Sequence, residues 1–555
     1  MFIKKLFSII VIALFCSAVI YAQEVLRITP SDATNPETFL NAQITADSSE
    51  SGGIKENRVY ELDRDAIYIH NRQMTVDAGE TLRIRAAAGD GRKPVVYLYD
   101  AGTGSGRPPG NMIVLNGGDL ELKDICIAGF YEPDPAGVDG VQGGLINTTG
   151  AGANLNIDGV LFSNVNGQHI RTGFDVGTIS IRNTIFANMG ALTTSNLGAG
   201  KGLDFREAEI DTFILENCTF VNYQDRPIRH YNFNNPSPDT GGTRTLHYAK
   251  INHNTFINGM GYHGLFSLGN VGEEIVITNN LFVDGFALGE DPSDTTRTKE
   301  WANTQEYYED GTSRITWIFT AQNDVTNWVV SNNYFAISDS GQAFLNDYGF
   351  GPASPLSWHI NSRLGADSAD AFTQIDLELV NTPALMTNMM RWYETPDAEG
   401  GAGKSKLVNN FNKELHDYDR RYIQYYRDTL DASYPSTSPA FTASTGGLPV
   451  GDLNWFEGVV SVPGSNLPSG FALGQNYPNP FNPSTKISFN LDRSAHTVLS
   501  VYNLLGQKVA TLISGEMPSG YHEINFDASK LSTGVYFYQL ESGSNISTKK
   551  MLLMK

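Results

Sequence analysis

A ten-residue pattern that returns seven times constrains this chain more than any other feature. The stretches LELKDICIAG, LNIDGVLFSN, ISIRNTIFAN, FILENCTFVN, AKINHNTFIN, IVITNNLFVD and WVVSNNYFAI align the apolar anchors Ile127, Phe162, Phe186, Phe220, Phe256, Phe282 and Phe335. Apolar residues alternate before each anchor, as in a strand with a buried face. Three places before the anchor stand Asp124, Gly159, Asn183, Asn217, His253, Asn279 and Asn332. Two places after it stand Gly129, Asn164, Asn188, Asn222, Asn258, Asp284 and Ile337. Asn suits tight corners because its amide bonds neighbouring backbone and it tolerates left-handed conformations. The anchors lie 35, 24, 34, 36, 26 and 53 residues apart. The intervals of 24 and 26 fit bare coils of a solenoid, and the longer ones coils with loops inserted. The expected fold is all-β, a right-handed parallel β-helix. An ordinary β-sandwich would not repeat one motif so often.

A solenoid also accommodates the length, since 555 residues exceed one ordinary core and stacked coils bury one another. Residues 1–22 read as a signal peptide: Lys4 and Lys5, an apolar run from Leu6 to Leu14, then Ala22 before Gln23. The segment 23–110 is expected to form a β-rich cap and first coils, 111–460 the helix and 461–470 a linker. Loops are expected at Asn232–Ala249 and Gly285–Arg314, a flanking helix at Lys404–Tyr434, and a closing turn and strand at Thr442–Phe456. Cys126 and Cys218, several coils apart, are expected as core thiols rather than a disulfide. The net charge of -21 argues against nucleic acid or an anionic membrane as partner. A local basic cleft could still meet an acidic substrate.

Residues 471–555 alternate short strands with turns, as a small β-sandwich does. Their motifs are NYPNPFNP from Asn476, YNLLGQ from Tyr502, LSTGVY from Leu531 and a basic tail. In these the segment resembles the C-terminal sorting domain of type IX secretion substrates. The resemblance implies export across the outer membrane of a Bacteroidetes-like bacterium, with the type IX machinery as partner. Such a protein is secreted or attached to the cell surface.

The stretch Gly200–Asn232 holds the densest set of reactive side chains. Ile170-Arg171, Phe205-Arg206 and Ile228-Arg229 each pair an inward apolar residue with an outward arginine. Stacked in register, three guanidinium groups would line one face about 5 Å apart. Asp175, Asp204, Glu207 and Asp225 could neutralise them as a salt-bridged surface; alternatively the row binds a carboxylate or sulfate. Lys201, His230 and His263 can reach the same face, with Arg226 and Arg244 as further contacts. The Arg229-His230 pair in RPIRHYN is similar to an Arg-His element of pectate-lyase-like, family-six polysaccharide lyases acting on alginate and chondroitin. Where that family has a lysine, this chain has Arg206, and the nearest lysine is Lys201.

The resemblance implies β-elimination at a uronic acid in an acidic polysaccharide. Arg206 and Arg171 would neutralise the carboxylate, Lys201 or Arg229 would take the C5 proton, and His230 or Tyr231 would protonate the leaving oxygen. No cofactor is required, although calcium could be held by Asp204, Glu207 and Glu216. The same three carboxylates could serve a glycoside hydrolase. Trp301, Tyr307 and Tyr308 could stack on sugar rings. A non-catalytic glycan-binding or surface-structural role is the other alternative.

Overall fold

The computed structural model describes residues 23–100, 108, 110–129, 142–190, 195–206, 208–231, 244–285, 291, 293–297, 315–320, 324–351, 354–408, 429–456, 459, 472–473, 476, 481–491, 495–503, 507–517, 520–543 and 545–554. Among these, the chain winds repeatedly through three parallel sheets of ten, ten and nine strands. One coil runs through Ile210–Glu216 in the first sheet, Thr219–Tyr223 in the second and Ile228–Tyr231 in the third. The next coil begins with Leu246–Asn252, paired in register beside Ile210–Glu216. This is a parallel β-helix. Its coils start at Glu24–Arg27, and the helix Leu40–Ser51 buries Leu40 and Ile44 in the central core.

The repeat seen in the sequence becomes three ladders. Phe162, Phe186, Phe220, Phe256 and Phe282 stack with ring centroids 5.2, 4.6, 5.1 and 4.9 Å apart. Each ring buried this way stabilises the fold by about 1.5–3 kcal/mol. At the corner before the second sheet, Asp124, Gly159, Asn183, Asn217, His253, Asn279 and Asn332 all have φ between 52 and 67°. At the corner after it, Asn164, Asn188, Asn222, Asn258 and Asp284 have φ between 49 and 59°. The amide of Asn222 donates to Asn188 at 2.7 Å, and that of Asn258 donates to Asn222. A buried column inside the coils repeats the device: Asn254 donates to Asn280 at 3.0 Å, and Asn280 to Asn333 at 2.9 Å.

The second sheet is apolar on its outer face as well, through Cys126, Leu161, Ile185, Val221, Ile257 and Leu281. The segment expected to close the domain with a turn and strand covers this face. It does so as turns and short 3-10 helices, Pro439–Thr442 and Leu453–Trp455, held to the corner by backbone and side-chain bonds. The Gly451 amide donates to Asn279 O at 2.9 Å, and the Asp452 amide to Thr255 Oγ1 at 2.8 Å. Asn454 bridges Asn183 Oδ1 and Asn217 O at 3.2 and 3.1 Å. Thr219 Oγ1 donates to Asp452 Oδ2 and accepts from Trp455 Nε1, each at 2.8 Å. A Thr219→Val substitution strands both buried partners and should cost about 1–3 kcal/mol, read as a lower urea midpoint. An unchanged midpoint would mean that the strap is held by apolar contact alone.

Beyond Phe335 the repeat continues as one more partial coil, with Ser354–Leu356 and Phe372–Gln374 in the third and second sheets. The helices Asp339–Tyr348 and Thr387–Glu394 pack with Leu197, Met260 and Tyr262 in a separate apolar layer. Residues 409–428 of the expected flanking helix lie outside the described residues. Cys126 and Cys218 are buried thiols that form no disulfide with each other, as expected. Among the described residues, no helix is long and apolar enough to cross a membrane. The C-terminal part is antiparallel: Ala495–Asn503 lies between Lys508–Met517 and Gly534–Ser542, while Ser484–Leu491 pairs with Gly520–Asp527. Its own core includes Ile487, Phe489, Leu499, Tyr538 and Met551.

Candidate functional site

Three neighbouring strands of the third sheet carry the candidate chemistry: Gln168–Thr172, Lys201–Arg206 and Ile228–Tyr231. Their alternation is fixed by the buried column Ile170, Leu203 and Ile228, which stack in register. The next residue on each strand therefore points outward, and that column reads Arg171, Asp204, Arg229. The expected row of three arginines is not formed. Arg206 stands two positions further along its strand, level with Tyr231. The corners between these strands and their anchors differ in length, so the three apolar-arginine pairs do not stack level with one another. A carboxylate between two guanidinium groups also replaces like-charge contact with attraction.

Arg229 grips Asp204 in bidentate fashion, Nε to Oδ1 at 2.5 Å and Nη2 to Oδ2 at 2.6 Å. Burial pushes the Asp204 carboxyl up, but Arg229, with Lys201 and Arg206 behind it, brings it net below its ordinary value. Arg171 Nε stays 4.0 Å from Asp204 Oδ2, and its side chain is 35% exposed against 1% for Asp204. In the column Arg171, Asp204, Arg229 the member that faces solvent is Arg171.

A second buried cluster adjoins the first, at the corner where the strand Lys201–Arg206 begins. Lys201 Nζ lies 2.6 Å from Asp225 Oδ2 and also donates to Gly198 O. Asp225 Oδ1 accepts from His263 Nδ1 at 2.8 Å and from the His263 amide at 3.1 Å. Arg226 Nε is 3.8 Å from Asp225 Oδ2. Burial lowers the Lys201 pKa; Asp225 opposes this and Arg229 and Arg226 add to it, leaving it at about 8. For Asp225 burial works upward, but His263, Lys201 and Arg226 outweigh it and hold the carboxyl well below its usual range.

His230 stands apart from both clusters. It is level with the core residue Phe205, and its ring nitrogens face Ala208 O at 2.9 Å and Leu268 O at 3.2 Å. Burial lowers its pKa against the pull of those two carbonyls. The neutral ring has one N–H to give, so it donates to one of these two carbonyls, which lie at corners of the neighbouring coils. Arg244 is at the opposite corner of the sheet, ion-paired with Asp175. Glu216 belongs to the first sheet, 2.6 Å from Lys250 Nζ and 3.3 Å from Arg182 Nε. Burial raises the Glu216 carboxyl, but those two cations bring it down to about 2.

Asp204 and Glu216 thus sit on different sheets, each neutralised by its own cations, and do not converge on one calcium ion. Among the described residues no group of three His, Cys, Asp or Glu side chains is arranged to hold a metal. Glu207, Trp301, Tyr307, Tyr308 and the side chain of Tyr231 lie outside the described residues. Reading the sequence had given Asp225 only a neutralising part, yet it joins Lys201, Arg226 and His263. The clue was its place beside Arg226 in YQDRP, one coil above Lys201.

No sequence match to a curated protein was found. Residues 475–554 match the family described as the secretion system C-terminal sorting domain. This chain is a parallel β-helix carrying a type IX sorting domain, which marks it for secretion or attachment at the cell surface and implies contact with the secretion machinery.

Proposed function

We propose that the β-helix acts on an acidic polysaccharide at the outer face of the third sheet and cleaves it by β-elimination at a uronic acid. The observation that carries this reading is Lys201, whose pKa of about 8 lies beside an arginine-rich column. A lysine so lowered is partly neutral near the pH of use and can accept a proton. In the reaction Arg171, the exposed arginine of the column, neutralises the C6 carboxylate, which acidifies the C5 proton. Lys201 Nζ takes that proton, the C4–O bond breaks as the C4–C5 double bond forms, and the departing oxygen takes a proton from solvent water. Arg229 as base is set aside, since its guanidinium is bonded twice to the Asp204 carboxylate, and His230 is enclosed between two backbone carbonyls.

A second reading has an observation of its own. Lys201, Asp204 and Arg229 are all enclosed, with side chains 3, 1 and 6% exposed, which suits a scaffold that only binds the polymer. Incubation of the protein with alginate, pectate, chondroitin and ulvan, followed by ultraviolet absorbance of the unsaturated product, separates the two. The expected result is absorbance that grows as pH rises through about 8 and disappears in Lys201→Met. Polymer binding without absorbance would establish the non-catalytic reading.

A further inference from the structure

Arg171 and Phe174 form a combination that neither the fold nor the buried clusters use. Arg171 makes no hydrogen bond to a described residue, and its contact with Asp204 is at the 4.0 Å limit of an ion pair. That contact involves one donor of the Arg171 fork and leaves the others without a bond to a described residue. Three residues on, Phe174 is 46% exposed, while the other apolar side chains of its coil are enclosed. Gly173 between them has no side chain, and its nearest neighbour is Thr148 O, 4.0 Å from where a Cβ would stand. A ligand can therefore approach the backbone closely at Gly173. One coil below, Asn147 is level with Arg171, and Thr149 beyond it is exposed, which gives small polar groups instead of a wall.

An apolar ring face and a free guanidinium fork, separated by bare backbone, suit one ligand chemistry. A pyranose ring presents C–H groups to an aromatic face, while a carboxylate on its C6 accepts two parallel N–H bonds from arginine. A neutral sugar would leave the arginine unused, and an aliphatic acid would leave the phenyl ring exposed. We infer that Phe174 and Arg171 form a uronate-binding subsite, in which Phe174 stacks on the sugar ring and Arg171 holds its carboxylate. The inference rests on the acidic-polysaccharide reading above and deepens it. It locates one sugar of the polymer at the coil Gln168–Thr172, on the edge of the buried clusters.

Binding of the full-length protein to polygalacturonate and alginate, with dextran as neutral control and dextran sulfate as sulfated control, tests it by affinity electrophoresis. Arg171→Ala should weaken uronate binding about tenfold or more and Phe174→Ala about threefold to tenfold, with Phe174→Tyr close to the parent. Both positions are solvent-facing, so an unchanged unfolding midpoint in each variant confirms that binding alone is read. If the parent binds uronate polymers and the alanine variants bind within twofold of it, the subsite is wrong while the substrate reading stands. If the parent binds neither uronate polymer, or only dextran sulfate, the substrate reading and this subsite both fall.

Discussion

Acidification should destabilise this protein more steeply than a His169→Phe variant. His169 sits inside the solenoid between Phe162 and Phe186, with ring centroids 5.7 and 5.6 Å away. Neither ring nitrogen has a hydrogen-bond partner, and the residue is 0% exposed. Burial alone holds its pKa down at about 3. In the unfolded chain the imidazole takes up a proton at about pH 6.5. The folded state is therefore short of a proton that the unfolded state binds between those two values, and stability falls as pH drops through that window. The slope is about 1.4 kcal/mol per pH unit, which amounts to about 5 kcal/mol by pH 3. Phenylalanine has nearly the same shape, extends the ring stack and removes the titration. Between pH 7.5 and 4.5 the stability gap between variant and parent should widen by about 2–3 kcal/mol in the variant's favour, measured by urea unfolding at both values. Parallel pH profiles would show that water or a shifted ring solvates His169. Other histidines add to the acid response, His70 among them, since burial also lowers its pKa to about 3, and only the difference between the two proteins isolates His169.

How much of this was legible in the sequence depended on whether a residue answers to its own strand or to its neighbours. Phe186 and Asn188 are dictated locally: the anchor enters the core, and Asn supplies a left-handed corner at φ 59°. Those positions repeat, so the solenoid could be read from them. Asp204 and Arg229 take their meaning from pairing across coils, and the register there depends on corners that do not repeat. Matching the apolar-arginine pairs to one another therefore put Arg206 in the row with Arg171 and Arg229, where the structure has Asp204. His230 misled for a related reason. Beside Arg229 it resembled a catalytic pair, yet adjacent residues of a strand face opposite sides, so an outward Arg229 implies an inward His230. The covering of the second sheet was hidden in another way. Cys126, Leu161 and Ile185 precede their anchors directly, and two consecutive apolar residues mark a strand buried on both faces. That pattern announces a cover without saying which segment supplies it. Asp452, Asn454 and Trp455 answer the question only through side-chain bonds to residues more than 190 positions earlier.

Asp204→Asn should lower the unfolding free energy by about 3–5 kcal/mol, a cost set by what it leaves behind. The substitution keeps the volume and one acceptor, but it removes the negative charge to which Arg229 is bonded twice. Arg229, with a side chain only 6% exposed, would then hold its charge in a site shared with Lys201, Arg206 and Arg171. Water cannot restore the solvation lost there. The effect is not a measure of what the pair contributes, because an apolar replacement of both members can be nearly neutral. Asp204→Asn combined with Arg229→Met should accordingly recover a large part of the loss, and the double-mutant cycle gives the coupling directly. Additive losses would mean that Arg229 is compensated chiefly by another carboxylate. Acid titration provides an independent check. The Asp204 carboxyl is net lowered in the fold, so its contribution is present above the unfolded carboxylate pKa of about 4 and fades as pH falls through the lowered value. The Asn variant should lack that component of the acid response. The same variant bears on function, since unpairing Arg229 supplies a second guanidinium to an incoming carboxylate. If the outer face binds uronate, Asp204→Asn should bind the polymer more tightly than the parent even as it unfolds more easily, because the electrostatic gain at the ligand arises from the charge imbalance that weakens the fold.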